Sequence, residues 1–223
     1  MEKINFIFFG TPYVASDTLE ILFSHGIVPS VIVTSPDRPS GRGMKMTSSP
    51  VKLWADANNI PVLQPEKLDE EFSSNLSRFA CPLAIVVAYG KIIPESIISS
   101  FPKGILNIHY SLLPKYRGAS PVESALLNND QETGITIQKM VYELDAGDIV
   151  SMERVSVMPN DNTTTLRARL IKVGAEILAQ TLPEYVAGRI NPVPQDHTHK
   201  TKCGKMKKED GDITEETSDQ IKW

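Results

Sequence analysis

The chain has 223 residues, 41% hydrophobic and 22% charged, with a formal net charge of -4. That length suits one large α/β domain with a short tail, and the charge argues against a general nucleic-acid binder while leaving room for a local basic patch. Two cysteines, Cys81 and Cys203, are too few for a disulfide framework and lack metal-ligand spacing. They read as reduced thiols, with Cys81 in the core. The chain enters a strand at once, with neither a charged leader nor an Arg-rich transit segment, and no stretch is apolar enough to span a bilayer. The expectation is a cytoplasmic protein that does not meet a membrane.

In chain order, Ile4–Phe9 is an almost unbroken apolar run and predicts the first strand. Val14–Ser24 follows as a helix. Strand candidates then recur at Pro29–Ser35, Pro61–Leu63, Leu83–Ala88, Ile105–Ile108 and Ile135–Met140. Leu83–Ala88 is apolar on both faces, as a central parallel strand should be. Helices are predicted at Pro50–Asn58, which opens on a proline suited to a first turn, at Glu66–Phe79 and at Pro121–Asn128. A longer helix is predicted at Thr163–Ala179, with Leu166, Leu170, Val173 and Ile177 on one stripe and Asp161 or Asn162 as cap. Pro183 is expected to end or kink it.

Strand and helix alternate from residue 4 to about residue 130. That is the pattern of an open, mostly parallel sheet covered by helices on both faces, an α/β fold. Such sheets bind ligands at the carboxyl ends of their strands, so the chemistry is expected just after Phe9, Ala88 and Ile108. Lys205–Trp223 is rich in charge and poor in apolar residues and cannot build a core alone. Residues 1–190 are therefore expected as one domain, and 191–223 as a linker or tail.

The densest segment runs from Asn107 to Gly118. Asn107 and His109 are two apart, so on a strand both point to one side. An amide there could hold a carbonyl oxygen as it gains charge. An imidazole could take a proton from an attacking amine. Spacing alone equally allows a strand-end histidine with a backbone partner. Asp145, in Leu144-Asp145-Ala146-Gly147, could return to this edge and orient His109, or be an ordinary turn aspartate.

Asn107, His109 and Asp145, with Ser111-Leu112-Leu113-Pro114 between, resemble the signature of formyltransferases that use 10-formyltetrahydrofolate. The resemblance implies a Rossmann-like formyltransferase fold. It also implies Asn107 and His109 beside the formyl carbon, Asp145 paired with His109, and Ser111, Leu112, Leu113 and Pro114 at the folate, with Tyr89 and Gly90 walling the pocket. Pro36-Asp37-Arg38-Pro39-Ser40-Gly41-Arg42-Gly43, with Lys45 and Lys52, is a long flexible basic loop. It resembles the loop that methionyl-tRNA formyltransferases insert to hold initiator tRNA. On that likeness Arg38, Arg42 and Lys45 are expected to meet tRNA phosphates. The same likeness suggests a monomer whose further, β-barrel domain is absent from this chain. Lys115 and Arg117 are read as tRNA-facing or solvated charges. His197 and His199 lie near Cys203 but lack a second ligand pair, so no metal is expected. Two alternatives remain: a formyl-folate hydrolase, and a non-catalytic folate-binding truncated paralogue.

Overall fold

The apolar run at the N-terminus becomes the middle of a sheet. The computed structural model describes residues 4–40, 43–207 and 210. Strand β1 (Phe6–Gly10) leads through α1 (Tyr13–Ser24) to β2 (Val31–Val33). A hairpin of β3 (Arg38–Ser40) and β4 (Lys45–Thr47) then precedes α2 (Pro50–Ala57) and β5 (Val62–Leu63). Next come α3 (Glu70–Ser77), β6 (Leu83–Val87), α4 (Glu95–Ser99) and β7 (Ile105–His109). The remaining elements are β8 (Arg117–Gly118), α5 (Pro121–Leu127), β9 (Glu132–Lys139), β10 (Ile149–Ser156), α6 (Thr163–Val186) and β11 (Lys202–Cys203).

Seven strands form one sheet in the order β10-β9-β7-β6-β1-β2-β5. It is parallel from β7 to β5. The antiparallel β9 and β10 extend it on the β7 side. The chain steps outward from β1 to β2 and β5, then returns to place β6 on the other side of β1. That reversal puts the topological switch point at the carboxyl ends of β1 and β6, where sheets of this kind bind ligands. There Thr11 Oγ1 donates to the Tyr89 carbonyl at 3.0 Å, tying the two strand exits together.

Alternation along each strand divides the core into two layers. Phe6, Phe8, Leu83, Ile85, Leu106, Ile108, Ile135 and Ile137 face the layer of α1, α2, α5 and α6. Ile7, Phe9, Ala84, Val86 and Ile105 face Phe72 and Leu76 of α3 and Ile97 of α4. On that second face the apolar surface stops at Ile105. Asn107 and His109 continue it on β7, and their register partners Gln138 and Thr136 continue it on β9. The functional edge is thus the polar extension of one core face.

Several elements depart from the sequence reading, which named neither α4 nor β10. The helix expected at Glu66–Phe79 starts at Glu70, because the Asp69 side chain accepts from the Phe72 amide and caps it there. Helix α6 passes through Pro183 to Val186. Tertiary contacts hold its last turn: Tyr185 donates to the Lys103 carbonyl, Lys103 Nζ donates to the Val186 carbonyl, and Leu182 is fully buried. The basic loop, expected to be flexible, contains the β3–β4 antiparallel ladder.

Described residues that follow α6 pair with the domain. Val193 bridges to Ile149, and β11 pairs in parallel with β8. Cys203 is buried and Cys81 half-buried. No described helix is long and apolar enough to cross a membrane.

Candidate active site

Strand β7 sets out the first two residues. Leu106 and Ile108 lock it into one core layer, which turns Asn107 and His109 to the other side. His109 is 5% exposed, yet both ring nitrogens have a role. Its Nε2 lies 2.9 Å from the Tyr116 carbonyl oxygen. A carbonyl only accepts, so Nε2 carries the proton and Nδ1 is the nitrogen free to change its protonation. Nδ1 sits 3.6 Å from Asp145 Oδ2. That is ion-pair range but too long for a hydrogen bond. The Tyr116 carbonyl therefore aims the ring, and the carboxylate stands beside it as a countercharge. The half-buried Asn107 amide makes no hydrogen bond among the described residues.

Asp145 arrives from the β9–β10 connection, which folds back over the polar face. Its carboxylate is held from two sides. Oδ2 accepts from the Gly118 amide at 2.8 Å, and Oδ1 accepts from Gln138 Nε2 at 2.8 Å. The other end of the Gln138 amide accepts from the Gly147 N–H at 3.2 Å. Gln138 is 1% exposed, so one buried side chain fixes both the carboxylate and the turn that bears it.

Backbone strain gathers here. Ala88, Tyr116 and Asp145 all have left-handed φ, at 47°, 59° and 48°. Each such residue costs roughly 1–3 kcal/mol and persists only where the surroundings overdetermine it. Tyr116 shows how. Its hydroxyl donates to Asp130, its amide donates to Thr201, and the Lys115 ammonium lies over its ring. Gly118 takes φ 130°, and a Cβ there would lie 2.0 Å from the Cys203 carbonyl oxygen. Gly118→Ala is accordingly expected to lift β11 off β8 and cost about 3 kcal/mol or more, visible as a lowered thermal midpoint; an unchanged midpoint would contradict this packing.

The other residues singled out in the sequence are placed as follows. Ser111 and Leu113 face inward. The Ser111 hydroxyl donates to the Lys115 carbonyl, and Thr136 Oγ1 bridges the Ser111 carbonyl and the Leu113 amide. Leu112 and Pro114 are half-buried. Tyr89 turns its ring into the core, edge-on to Phe9, and burial pushes its phenol up to about 12. Gly90 is exposed at φ 81°. On the hairpin, Arg38 pairs with Glu66 and the exposed Lys45 ammonium makes no ion pair among the described residues; Lys52, on α2, pairs with Asp37 just before β3. Arg42 lies outside the described residues.

Arg117 corrects an expectation. Read as a solvated or tRNA-facing charge, it is 2% exposed and donates to Gln195 Oε1 and His197 Nδ1. The segment beyond α6 covers it, which only the tertiary structure arranges. Lys115 is exposed but bound to Asp130. Sequence reading missed Gln138, Gln195 and the Tyr116 carbonyl. The alternation of Ile135, Thr136, Ile137 and Gln138 carried a signal for the first; nothing local marked the other two.

The fold defines a class. Phosphoribosylglycinamide formyltransferase from Bacillus halodurans superposes with a TM-score of 0.69 at 20% identity, covering 82% of this chain and 95% of its own. An N-formyltransferase from Helicobacter canadensis does so at 0.69 and 18%, covering 90% and 71%. At such identities the likeness is one of fold, and the fold is that of the formyltransferases. A family model described as formyl transferase matches residues 2–182. The methionyl-tRNA formyltransferase of Buchnera aphidicola is 41% identical over 211 residues, 94% of this chain and 67% of the relative. That of Koribacter versatilis is 44% identical over 209 residues, 93% and 67%. The chain belongs to the formyl transferase family, on its methionyl-tRNA formyltransferase branch.

Proposed function

We propose that the chain transfers a formyl group from 10-formyltetrahydrofolate to the α-amino group of methionine on initiator tRNA. The observation that carries this reading is the convergence of Asn107, His109 and Asp145 on one polar face of the sheet, in a chain of this family. 10-Formyltetrahydrofolate supplies the formyl carbon at the oxidation level of the product, so no electron transfer is needed. The residues fit such a group. The Asn107 side-chain amide is half-buried without a partner among the described residues, and Ile92 and Tyr142, 81% and 62% exposed, offer apolar surface on the loops that carry Gly90 and Asp145.

Asn107 donates to the formyl oxygen as the amine adds and that oxygen gains charge. His109 Nδ1 takes the proton that the amine must lose. Asp145, 3.6 Å away, stabilises the imidazolium so formed. The proton then returns to the departing folate nitrogen as the old C–N bond breaks and the new one is complete. Gly90, Leu112 and Pro114 stand around the folate, with Tyr89, Ser111 and Leu113, which the fold turns inward, supporting them from inside.

Arg38, Arg42 and Lys45 meet tRNA phosphates in this reading. The Arg38–Glu66 pair is 64% exposed on both sides, so exchanging Glu66 for a phosphate costs little. The test is formyl transfer by the purified chain, with and without methionyl initiator tRNA. Formyl-methionine on the tRNA supports the proposal. Equal formate release in both tubes would instead mark a hydrolase.

A further inference from the structure

The segment beyond α6 reaches the candidate site through one side chain. Gln195 is 4% exposed. Its Nε2 donates to the carbonyl oxygens of Asp145 and Gly147, at 2.9 and 2.6 Å. Its Oε1 accepts from Arg117 Nε and Nη2, at 3.2 and 2.6 Å. A glutamine amide has two N–H groups and two lone pairs, and all four are engaged. The contacts close a ring: Arg117 grips Gln195, Gln195 grips the Asp145 main chain, and the amide of Gly118, next to Arg117, grips the Asp145 carboxylate. Asp145 is held at left-handed φ between these two pulls.

We infer that Gln195 is a positioning residue for the transfer, holding the Asp145 turn against His109 from the chain segment that follows the last helix. The inference rests on the proposed role of Asp145. It makes the segment around residue 195 part of the reacting centre's support. A domain boundary drawn at residue 190 would remove that support, while leaving Asn107, His109 and Asp145 themselves in the chain.

Gln195→Glu separates positioning from anchoring. The carboxylate keeps two acceptors for Arg117, whose guanidinium favours the ionised form. It replaces the donor facing Asp145 and Gly147 with an oxygen facing two oxygens. In the full chain, kcat for formyl transfer should fall on the order of 100-fold, as for other small displacements of a reacting group, with KM for 10-formyltetrahydrofolate unchanged. Amide exchange gives a second reading independent of activity. The Gly118 amide, bonded to Asp145, should lose protection. The Arg117 and Ala119 amides, bonded to Thr201 and Cys203, should keep theirs. If the substitution prevents folding, the paired change Arg117→Met with Gln195→Met removes the buried charge together with its partner and takes the same two measurements. Wild-type kcat with intact Gly118 protection overturns the inference. So does protection lost at all three amides together, since Gln195 would then only anchor the tail. A wild-type chain that transfers no formyl group would count against the proposed function, and the exchange pattern alone would then decide the positioning role.

Discussion

Asn107→Ala is expected to lower kcat by about 100- to 1,000-fold, the usual cost of removing one donor to a developing oxyanion. The fold should be untouched. Leu106 and Ile108 anchor β7 in the core, and the Asn107 amide makes no hydrogen bond among the described residues, so its removal leaves no buried group there without a partner. The expected signature is therefore a slow enzyme with a wild-type thermal midpoint and near wild-type folate affinity. Single-turnover formyl transfer at saturating 10-formyltetrahydrofolate measures it directly. A wild-type rate would remove Asn107 from the mechanism. Weakened folate binding at an unchanged rate would recast it as a binding group.

Asp145→Asn should be at least as severe, on the order of 1,000-fold, within the range lost when proton-transfer machinery is removed. Both carboxylate oxygens accept, one from Gly118 and one from Gln138. An asparagine has a single acceptor oxygen, so its NH2 must meet one of these donors head on. Gln138 could turn its amide over to accept from that NH2. The Gly147 N–H would then lose the Oε1 it now bonds, and the misfit would pass to the turn that carries residue 145. His109 Nδ1 also loses its countercharge at 3.6 Å. The two effects share a direction, unlike Asn107→Ala, where only a contact to substrate is lost. A variant retaining more than a tenth of wild-type kcat would show that Asp145 merely shapes the turn.

These two predictions depend on structural information of different kinds. Asn107 and His109 were legible because strand periodicity is local: residues two apart on a strand share a face whatever surrounds it. The sheet was legible for a similar reason. A strand such as Leu83–Val87, apolar on both faces, has no stable place except between two helical layers. The family motif added Asp145 to the pair. Without coordinates, however, neither motif nor spacing could say that the Tyr116 carbonyl aims His109, or that Asp145 stands near the ring without bonding it.

What stayed hidden involves pairings distant in sequence. Thr201 and Cys203 meet Tyr116, Arg117 and Ala119 across more than eighty residues of chain. Arg117 reads as a surface charge in its own neighbourhood and becomes buried only when Gln195 and His197 close over it. The last turn of α6 survives Pro183 for a comparable reason, because Lys103, outside the helix, accepts from Tyr185 and donates to the Val186 carbonyl. By itself, the sequence determined which face of each strand is apolar, which residue types stand at the sheet's ligand edge, and the family to which they belong, since these follow from local periodicity and motif. Only the tertiary structure decided which donors hold the Asp145 carboxylate and which carbonyl aims His109, because a buried polar group takes as its partner whatever the packed chain brings within hydrogen-bond reach.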